Sequence, residues 1–403
     1  MVIIRAFVFY IRVMHHPASK FLLPIVVFSQ FAGTSLWFAG NAIINDIQPP
    51  SSEGFANITS IVQFGFIAGT LIFSLLTIAD RFSASAVFFF SSLIAATSNL
   101  ILIWLAKDIY WLMSLRFITG FFLAGIYPVG MKIAAENFPE KLGNALGFLV
   151  GALVFGTAFP HILRSQLQDL NWQNVLLFTS LLAFTGGILI LAFIPHTKSK
   201  SISAIKLNTA FTVFQSSNFR SAAFGYFGHM WELYTFWAFI PFVLSVYNKI
   251  HASNINIAVW SFVIIASGGL GCILGGILSQ KTGSKKIAFY SLLISGICCL
   301  FSPLIFNFGP AIFILILVIW GLTVVSDSPQ FSTLVAQSAP AENKGTALTI
   351  VTSIGFAITI VSIQFLKLVS DNWKENSLIL LLIGPVFGLL SLKKYLPAKI
   401  TGR

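Results

Sequence analysis

Twelve long apolar stretches constrain the fold of this chain more than any other feature of its sequence. A helix needs about 20 mostly apolar residues to cross the hydrocarbon core of a bilayer. The 403 residues are 57% hydrophobic and 9% charged, whereas soluble domains carry roughly a quarter charged residues. We therefore predict an integral membrane protein. Its spans 1 to 12 are placed at 21–45, 56–78, 84–106, 110–132, 144–166, 172–194, 221–247, 255–278, 287–306, 310–334, 346–368 and 376–396.

The spans predict an all-α membrane protein built from two bundles of six helices. Apolar residues run continuously through whole segments, whereas a β-barrel would show short alternating strands. The longest polar stretch, 195–220, separates six spans from six and is interpreted as a cytoplasmic linker. It divides an N-terminal bundle, 21–194, from a C-terminal bundle, 221–396, which is followed by a cytoplasmic tail at 397–403.

The distribution of basic residues predicts the orientation. With both termini in the cytoplasm, 18 of the 24 Lys and Arg lie inside and 5 lie outside, in agreement with the positive-inside rule. The net charge of +12 therefore indicates orientation in an inner cell membrane and does not indicate a nucleic-acid partner. We expect a monomer that is surrounded by the lipid bilayer.

The first 20 residues have two interpretations. The segment is apolar but is interrupted by Arg5 and Arg12, and it lacks the uninterrupted core and cleavage site of a signal peptide. It is expected to lie as a helix in the cytoplasmic interface. The alternative is that translation starts at Met14.

A weak internal repeat relates the two halves. Glu140-Lys-Leu-Gly143-Asn-Ala145-Leu146 after span 4 matches Glu342-Asn-Lys-Gly345-Thr-Ala347-Leu348 after span 10, at a distance of 202 residues. Parallel repeats of this kind are typical of transporters.

With these features the chain resembles the major facilitator superfamily over nearly its whole length. The loop after span 8, from Gly276 to Lys286, is similar to the family's loop motif, of which the loop after span 2 keeps only Asp80-Arg81. Arg116-Phe-Ile-Thr-Gly120 is similar to the family's pattern in span 4, which the family associates with proton coupling. The fifth-span antiporter signature is absent, because Pro160 is displaced. The resemblance implies alternating access, with gating residues at Asp80, Arg81, Gly276, Gly283, Lys285 and Lys286.

Three charged residues fall within the predicted spans: Arg116, Glu232 and Asp327. An ionisable group at this depth costs several kcal/mol unless it is paired or hydrated, so each is a functional candidate. His229 and Glu232, at positions i and i+3, share a face of span 7 and could exchange a proton. Two alternatives remain open. Glu232 could be a static hydrogen-bond acceptor, or the His-x-x-Glu face could bind a metal, although no second cluster of ligands is evident.

Arg116 is a natural partner for a carboxylate, either that of Glu232 or one on a solute. Asp327-Ser-Pro329 in span 10 and Tyr127-Pro128 in span 4 interrupt their helices, so Pro128, Asp327 and Pro329 are candidate gating points. Most of the 42 Phe are expected to face lipid. The cavity-lining candidates are Trp37, Asn41, Arg116, Tyr127, Tyr226, Trp231 and Gln330, with Gln63, Asn99 and Gln364 as weaker ones.

These features predict a secondary transporter of a small polar or anionic solute, driven by proton symport through Glu232, His229 and Arg116. On this hypothesis Glu232→Gln abolishes uptake driven by a pH gradient. The alternatives are a uniporter or exchanger in which Arg116 binds an anionic solute, and a sensor built on a transporter fold. No enzyme, cofactor or metal-site motif is evident in the sequence. The three cysteines lie inside apolar stretches and are expected to be packing residues.

Overall fold

The computed structural model describes residues 21–47, 52–138, 142–166, 171–194, 213–340 and 344–393. The predicted N-terminal segment 1–20, most of the linker 195–220 and the tail 397–403 lie outside the described residues.

The described residues form helices and no strands, and twelve helices are long and apolar enough to cross a membrane. The all-helical prediction is thereby confirmed. Their bounds are as follows. Span 1 is Leu22–Thr34 and Ala39–Ile47, span 2 Ser52–Leu75, span 3 Ala84–Leu105, span 4 Ile109–Leu123 and Tyr127–Asn137, span 5 Leu142–Gln166, span 6 Gln173–Phe193, span 7 Ser217–His251, span 8 Ile257–Thr282, span 9 Ser284–Ile305, span 10 Pro310–Thr323 and Ser328–Ser338, span 11 Lys344–Trp373, and span 12 a 3₁₀ helix Lys374–Leu382 continued by Ile383–Lys393.

Several spans begin at residues whose side chains satisfy the free backbone N–H groups of a helix start. The Asp108 carboxylate accepts hydrogen bonds from the N–H groups of Tyr110 and Trp111, and the Asn256 side chain accepts one from Val259. Pro310 starts span 10, a position where its missing N–H is not needed. These local signals place the span ends within a few residues of the predicted bounds.

Two glycines mark the same helix crossing in both halves. A Cβ atom at Gly120 of span 4 would meet the carbonyl oxygen of Val62 in span 2, and one at Gly321 of span 10 would meet that of Ile264 in span 8. Backbones approach this closely only where no side chain intervenes. The repeat that the sequence shows weakly is therefore present in the packing of the helices.

The two halves meet along spans 2 and 11 and along spans 5 and 8. Between spans 2 and 11, the Gln364 amide donates to the Ser60 hydroxyl at 2.8 Å, and the hydroxyls of Thr70 and Ser353 lie 3.4 Å apart. Between spans 5 and 8, Gly151 packs against the backbone at Gly269. The surface between the halves is thus joined by small and hydroxyl side chains.

Three spans are interrupted near their middle. Spans 4 and 10 break before Pro128 and Pro329, as the sequence predicts, and each proline lies in the first turn of the helix that follows, where its missing N–H is not needed. Span 1 breaks at residues 35–38 without a proline, which the sequence does not predict. Span 7, the counterpart of span 1 in the second half, continues unbroken from Ser217 to His251.

Candidate functional site

Five aromatic side chains fill the interface between the halves near the middle of the spans. The Trp37 indole, in the break of span 1, stacks on Tyr234 of span 7 and Phe356 of span 11, with centroids 5.7 and 5.8 Å apart. Phe66 of span 2 lies 4.9 Å from Trp37 and 4.5 Å from Phe356. Trp237 meets Tyr234 edge to face at 5.2 Å. We call these five buried residues the midplane aromatic cluster.

Hydrogen-bonding groups without partners lie on the residues of this cluster and beside it. The indole N–H groups of Trp37 and Trp237 are buried and bond to no described group. Both amide atoms of Gln63 are also buried without a partner, three residues before Phe66 on the same face of span 2. An unpaired buried polar group costs about 1–3 kcal/mol. The cluster therefore combines an apolar surface with donors and acceptors that a solute between the halves could use.

The sequence predicted only Trp37 of these five residues as a cavity residue. Phe66 and Phe356 were not selected, because an aromatic side chain on an apolar span gives no signal of which way it faces. Sequence reasoning also missed His161 of span 5. Its ring is buried, its Nε2 has no partner, and it lies 6.5 Å from the Phe38 ring.

His229 of span 7 lies against Asp327 at the break of span 10. Its Nδ1 is 2.8 Å from the Asp327 Oδ1, and both side chains are buried. Neither imidazole nitrogen and neither carboxylate oxygen makes an aligned hydrogen bond to any described group. The rings of Tyr226 and Phe331 flank the imidazole at 5.8 and 5.9 Å. The partner of His229 is thus Asp327, not the Glu232 that the sequence suggested.

Glu232 is held by three donors from spans 9 and 10. Its Oε1 accepts hydrogen bonds from the Trp320 indole at 2.6 Å and from the Cys299 thiol at 3.2 Å. Its Oε2 accepts one from the Ser295 hydroxyl at 3.1 Å. The carboxylate is buried within the second half. None of these three bonds joins it to His229 or to Arg116. This arrangement matches the static acceptor that the sequence left open as an alternative.

Arg116 is fully buried in the first half. Its Nη2 donates to the Leu36 carbonyl at 3.0 Å and to the Trp37 carbonyl, and its Nη1 donates to the Asn99 Oδ1 at 3.2 Å. It forms no ion pair with any described acidic residue, so the predicted pairing with Glu232 is not observed. Its partners are the backbone at the break of span 1 and an amide of span 3.

The remaining cavity candidates lie in different surroundings. Asn41 donates to the Thr59 hydroxyl at 2.7 Å within the first half. Trp231 faces span 12, where its indole donates to the Leu380 carbonyl at 3.2 Å. Tyr127 is partly buried and packs against the apolar core. Gln330 is buried near Gly275 of span 8.

The gating candidates differ between the halves. After span 2, Thr77 has a positive φ of 50° and accepts a hydrogen bond from the Arg81 Nε at 3.1 Å, while the Asp80 side chain lies outside the described residues. After span 8, Gly283 adopts a φ of 85°, a conformation that favours glycine. Lys285 and Lys286 begin span 9, and Gly276 packs close to Gly147 of span 5. Their role in gating stays a prediction.

The three cysteines are free and buried, in agreement with packing roles. Within the described residues, no group of three His, Cys, Asp or Glu side chains could hold a metal ion.

Several known proteins are similar to this chain. A multi-drug resistance efflux pump PmrA homolog of Lactococcus lactis subsp. lactis is 25% identical over 244 residues, which are 59% of this chain and 59% of that protein. The multi-drug resistance efflux pump PmrA of Streptococcus pneumoniae is 27% identical over 206 residues, 47% and 50% of the two chains. The chain thus spans about three-fifths and one half of the lengths of these relatives. A putative metabolite transport protein of Haemophilus influenzae is 24% identical over 356 residues, 80% and 81% of the two chains.

Among solved structures, the human organic anion transporter MFSD10 (TETRAN) has the same fold. The TM-score is 0.75 at 13% identity, over 94% of this chain and 99% of that one. The sequence profile described as Major Facilitator Superfamily matches residues 22–363. The resemblance noted in the motifs is confirmed, and this twelve-span membrane protein belongs to the major facilitator superfamily of transporters.

Proposed function

We propose that the protein exports planar, amphipathic aromatic compounds in exchange for protons. The observation that carries this proposal is the midplane aromatic cluster, which lies between the halves and bears unpaired indole and amide groups. Solute sites in transporters of this architecture lie at the interface of the repeats, near the bilayer midplane. A solute held there is exposed to either side when one half rocks against the other.

The chemistry of the cluster selects flat apolar rings with a few hydrogen-bonding groups. Stacking between aromatic rings contributes about 0.5–1.5 kcal/mol per pair beyond the burial of area. The indole N–H groups of Trp37 and Trp237 would orient acceptors on the solute, and the Gln63 amide would bind either a donor or an acceptor. None of the five cluster residues carries a charge.

This substrate class replaces the polar or anionic solute expected from the sequence. Arg116, the expected anchor for an anion, donates to two backbone carbonyls and to Asn99. The names of two relatives, which describe them as multidrug efflux pumps, support export of organic compounds. If protons drive this export, they move inward as the solute moves outward, an exchange proposed here although the fifth-span antiporter signature is absent.

The His229–Asp327 pair is the proposed proton site. Two titratable groups in contact and fully buried favour holding one proton between them, because that state has no net charge. Gain or loss of a proton then requires contact with water. The break of span 10 ends at Asp327, so bending there would change access to the pair.

Transport of ethidium by the purified protein in liposomes tests this proposal. An imposed pH gradient should drive ethidium against its own gradient, and a protonophore should abolish that movement. Trp37→Ala should raise the KM for ethidium about tenfold, because the solute loses the indole ring on which it would stack.

Trp104→Ala is the matched control. Trp104 of span 3 is 71% exposed, whereas the residues of the cluster are buried. It should leave KM unchanged. Transport of a non-aromatic organic anion in preference to ethidium, or ethidium transport without response to the pH gradient, would contradict the proposal.

A further inference from the structure

The break of span 1 leaves backbone carbonyl groups without hydrogen-bond donors from the helix itself. Residues 35–38 leave the helical path at bilayer depth, where no water can satisfy freed carbonyl groups. Turn hydrogen bonds from Leu36 N to Gly33 O and from Trp37 N to Thr34 O use the N–H groups. The carbonyl oxygens of Leu36 and Trp37 are left to accept from outside the helix.

We propose that Arg116 is a positioning residue for Trp37, and that it carries neither the proton nor the solute. Its Nη2 donates to both freed carbonyls, one of which belongs to Trp37 itself. The inference rests on the proposed function only in assigning the solute to the Trp37 indole. The guanidinium fixes the backbone of Trp37, and the backbone fixes where the indole enters the aromatic cluster.

The guanidinium is in turn held by a fixed amide. Asn99 Nδ2 lies within hydrogen-bonding distance of the Leu176 carbonyl at 3.2 Å and of the hydroxyls of Thr179 and Ser180 at 3.1 and 3.0 Å, all on span 6. These contacts leave the Asn99 Oδ1 directed at Arg116. One network thereby joins spans 1, 3, 4 and 6 at the break.

The surroundings of Arg116 require the shape of an arginine. A planar fork of N–H donors can reach two carbonyls and an amide oxygen at once, whereas a lysine ammonium is a single point of donation. Gly40 adds to this fit, because a Cβ atom there would meet the Arg116 Nε and the side chain of Ile58. A charge alone would not keep the break in place.

The test compares Arg116→Lys, which keeps the positive charge, with the surface control Arg164→Lys. Arg164 forms a partly exposed ion pair with Asp46 at 2.7 Å in the same half. The protein is labelled with 5-fluorotryptophan, and Trp37→Phe identifies the Trp37 signal among the nine tryptophans in the ¹⁹F NMR spectrum. Arg116→Lys should shift or broaden the Trp37 signal, and Arg164→Lys should not. An unchanged Trp37 signal in Arg116→Lys would overturn the inference, whatever the protein transports.

Transport kinetics separate positioning from proton coupling. For ethidium export, Arg116→Lys should raise KM about tenfold, as Trp37→Ala does, with the pH dependence unchanged. An altered pH profile with an unchanged KM would assign Arg116 to proton coupling and overturn the inference.

If Arg116→Lys does not fold, Asn99→Ala serves as the second variant. It keeps the arginine but removes its anchor, and it should perturb the same Trp37 signal. Failure of ethidium transport by the wild type would count against the proposed function but would leave the NMR comparison valid.

Discussion

The two halves of the molecule place one buried charged residue at the same three-helix junction, and the charges are opposite. In the first half, Arg116 joins spans 1, 3 and 4 by binding Asn99 and the broken backbone of span 1. In the second half, Glu232 joins spans 7, 9 and 10 by binding Cys299 and Trp320. Asn99 and Cys299 occupy positions 200 residues apart in the repeat.

The difference between the junctions follows from the helices they hold. The freed carbonyls of broken span 1 are acceptors, so a donor-only cation fits there. Span 7 is continuous around Glu232, and the junction instead presents indole, thiol and hydroxyl donors, for which a carboxylate is the matching acceptor. A charge inside the membrane can therefore complete the packing of helices. The His229–Asp327 pair differs from both junctions, because within the described residues neither side chain makes an aligned hydrogen bond.

The largest effect is expected for Arg116→Met. It leaves the carbonyls of Leu36 and Trp37 and the Asn99 Oδ1 without a donor, and each unpaired group costs about 1–3 kcal/mol. We expect a loss of at least about 3 kcal/mol in the free energy of unfolding, measured by denaturation in detergent micelles. Arg164→Met, which removes a partly exposed ion pair, should cost no more than about 1 kcal/mol. Equal losses in the two variants would remove the distinction between Arg116 and an ordinary surface arginine.

Asp327→Asn should affect coupling more than stability. The amide cannot exchange a proton, so the component of ethidium export driven by a pH gradient should fall about 100-fold. Ethidium binding, measured by quenching of tryptophan fluorescence, should remain, because Asp327 is not part of the aromatic cluster. Export that still follows the pH gradient in this variant would move the proton site away from span 10.

Glu232→Gln should have a modest effect, in contrast to the loss of pH-driven transport expected from the sequence. A glutamine oxygen can still accept from Trp320, and its amide can donate to the Ser295 hydroxyl. We expect unchanged pH dependence of ethidium export and a stability loss of about 1 kcal/mol. Abolished coupling in this variant would restore Glu232 as the proton carrier and would break the comparison between the two junctions.

The smallest effect is expected for Cys299→Ala. The thiol is a weak donor and the carboxylate keeps its bonds to Trp320 and Ser295, so the loss should be about 0.5–1 kcal/mol. Asn99→Ala, at the matching position of the first half, should cost more, because Asn99 joins Arg116 to span 6. Denaturation of both variants under the same conditions measures the difference. The reverse order would show that the second junction depends on its thiol.

Much of the fold could be predicted from the sequence because a bilayer limits the choices. Each span had to be an apolar helix, and Pro128 and Pro329 mark the positions at which two of the spans are interrupted. The break at Trp37 could not be predicted. No residue in 35–38 prevents a helix, and the carbonyls that the break frees accept hydrogen bonds from Arg116, which is 79 residues away from Trp37 in the sequence.

The candidate site was predicted only in part, since a span shows which residues are polar but not which neighbours they meet. His229 and Asp327 were both selected, but the sequence paired His229 with Glu232 because positions i and i+3 share a helical face. In the structure, the two side chains of that face reach different partners, Asp327 and Trp320. Phe66 and Phe356 were missed because the same apolar residue types occur at positions that face lipid and at positions that face the other half.

The sequence by itself determined that this is a twelve-span helical membrane protein with a repeat, because hydrocarbon thickness and backbone hydrogen bonding act on each segment locally. The tertiary structure alone decided which buried charges complete helix junctions and which lie against each other. That distinction depends on donors and acceptors brought together from spans far apart in the chain, as at Arg116, Glu232 and the His229–Asp327 pair.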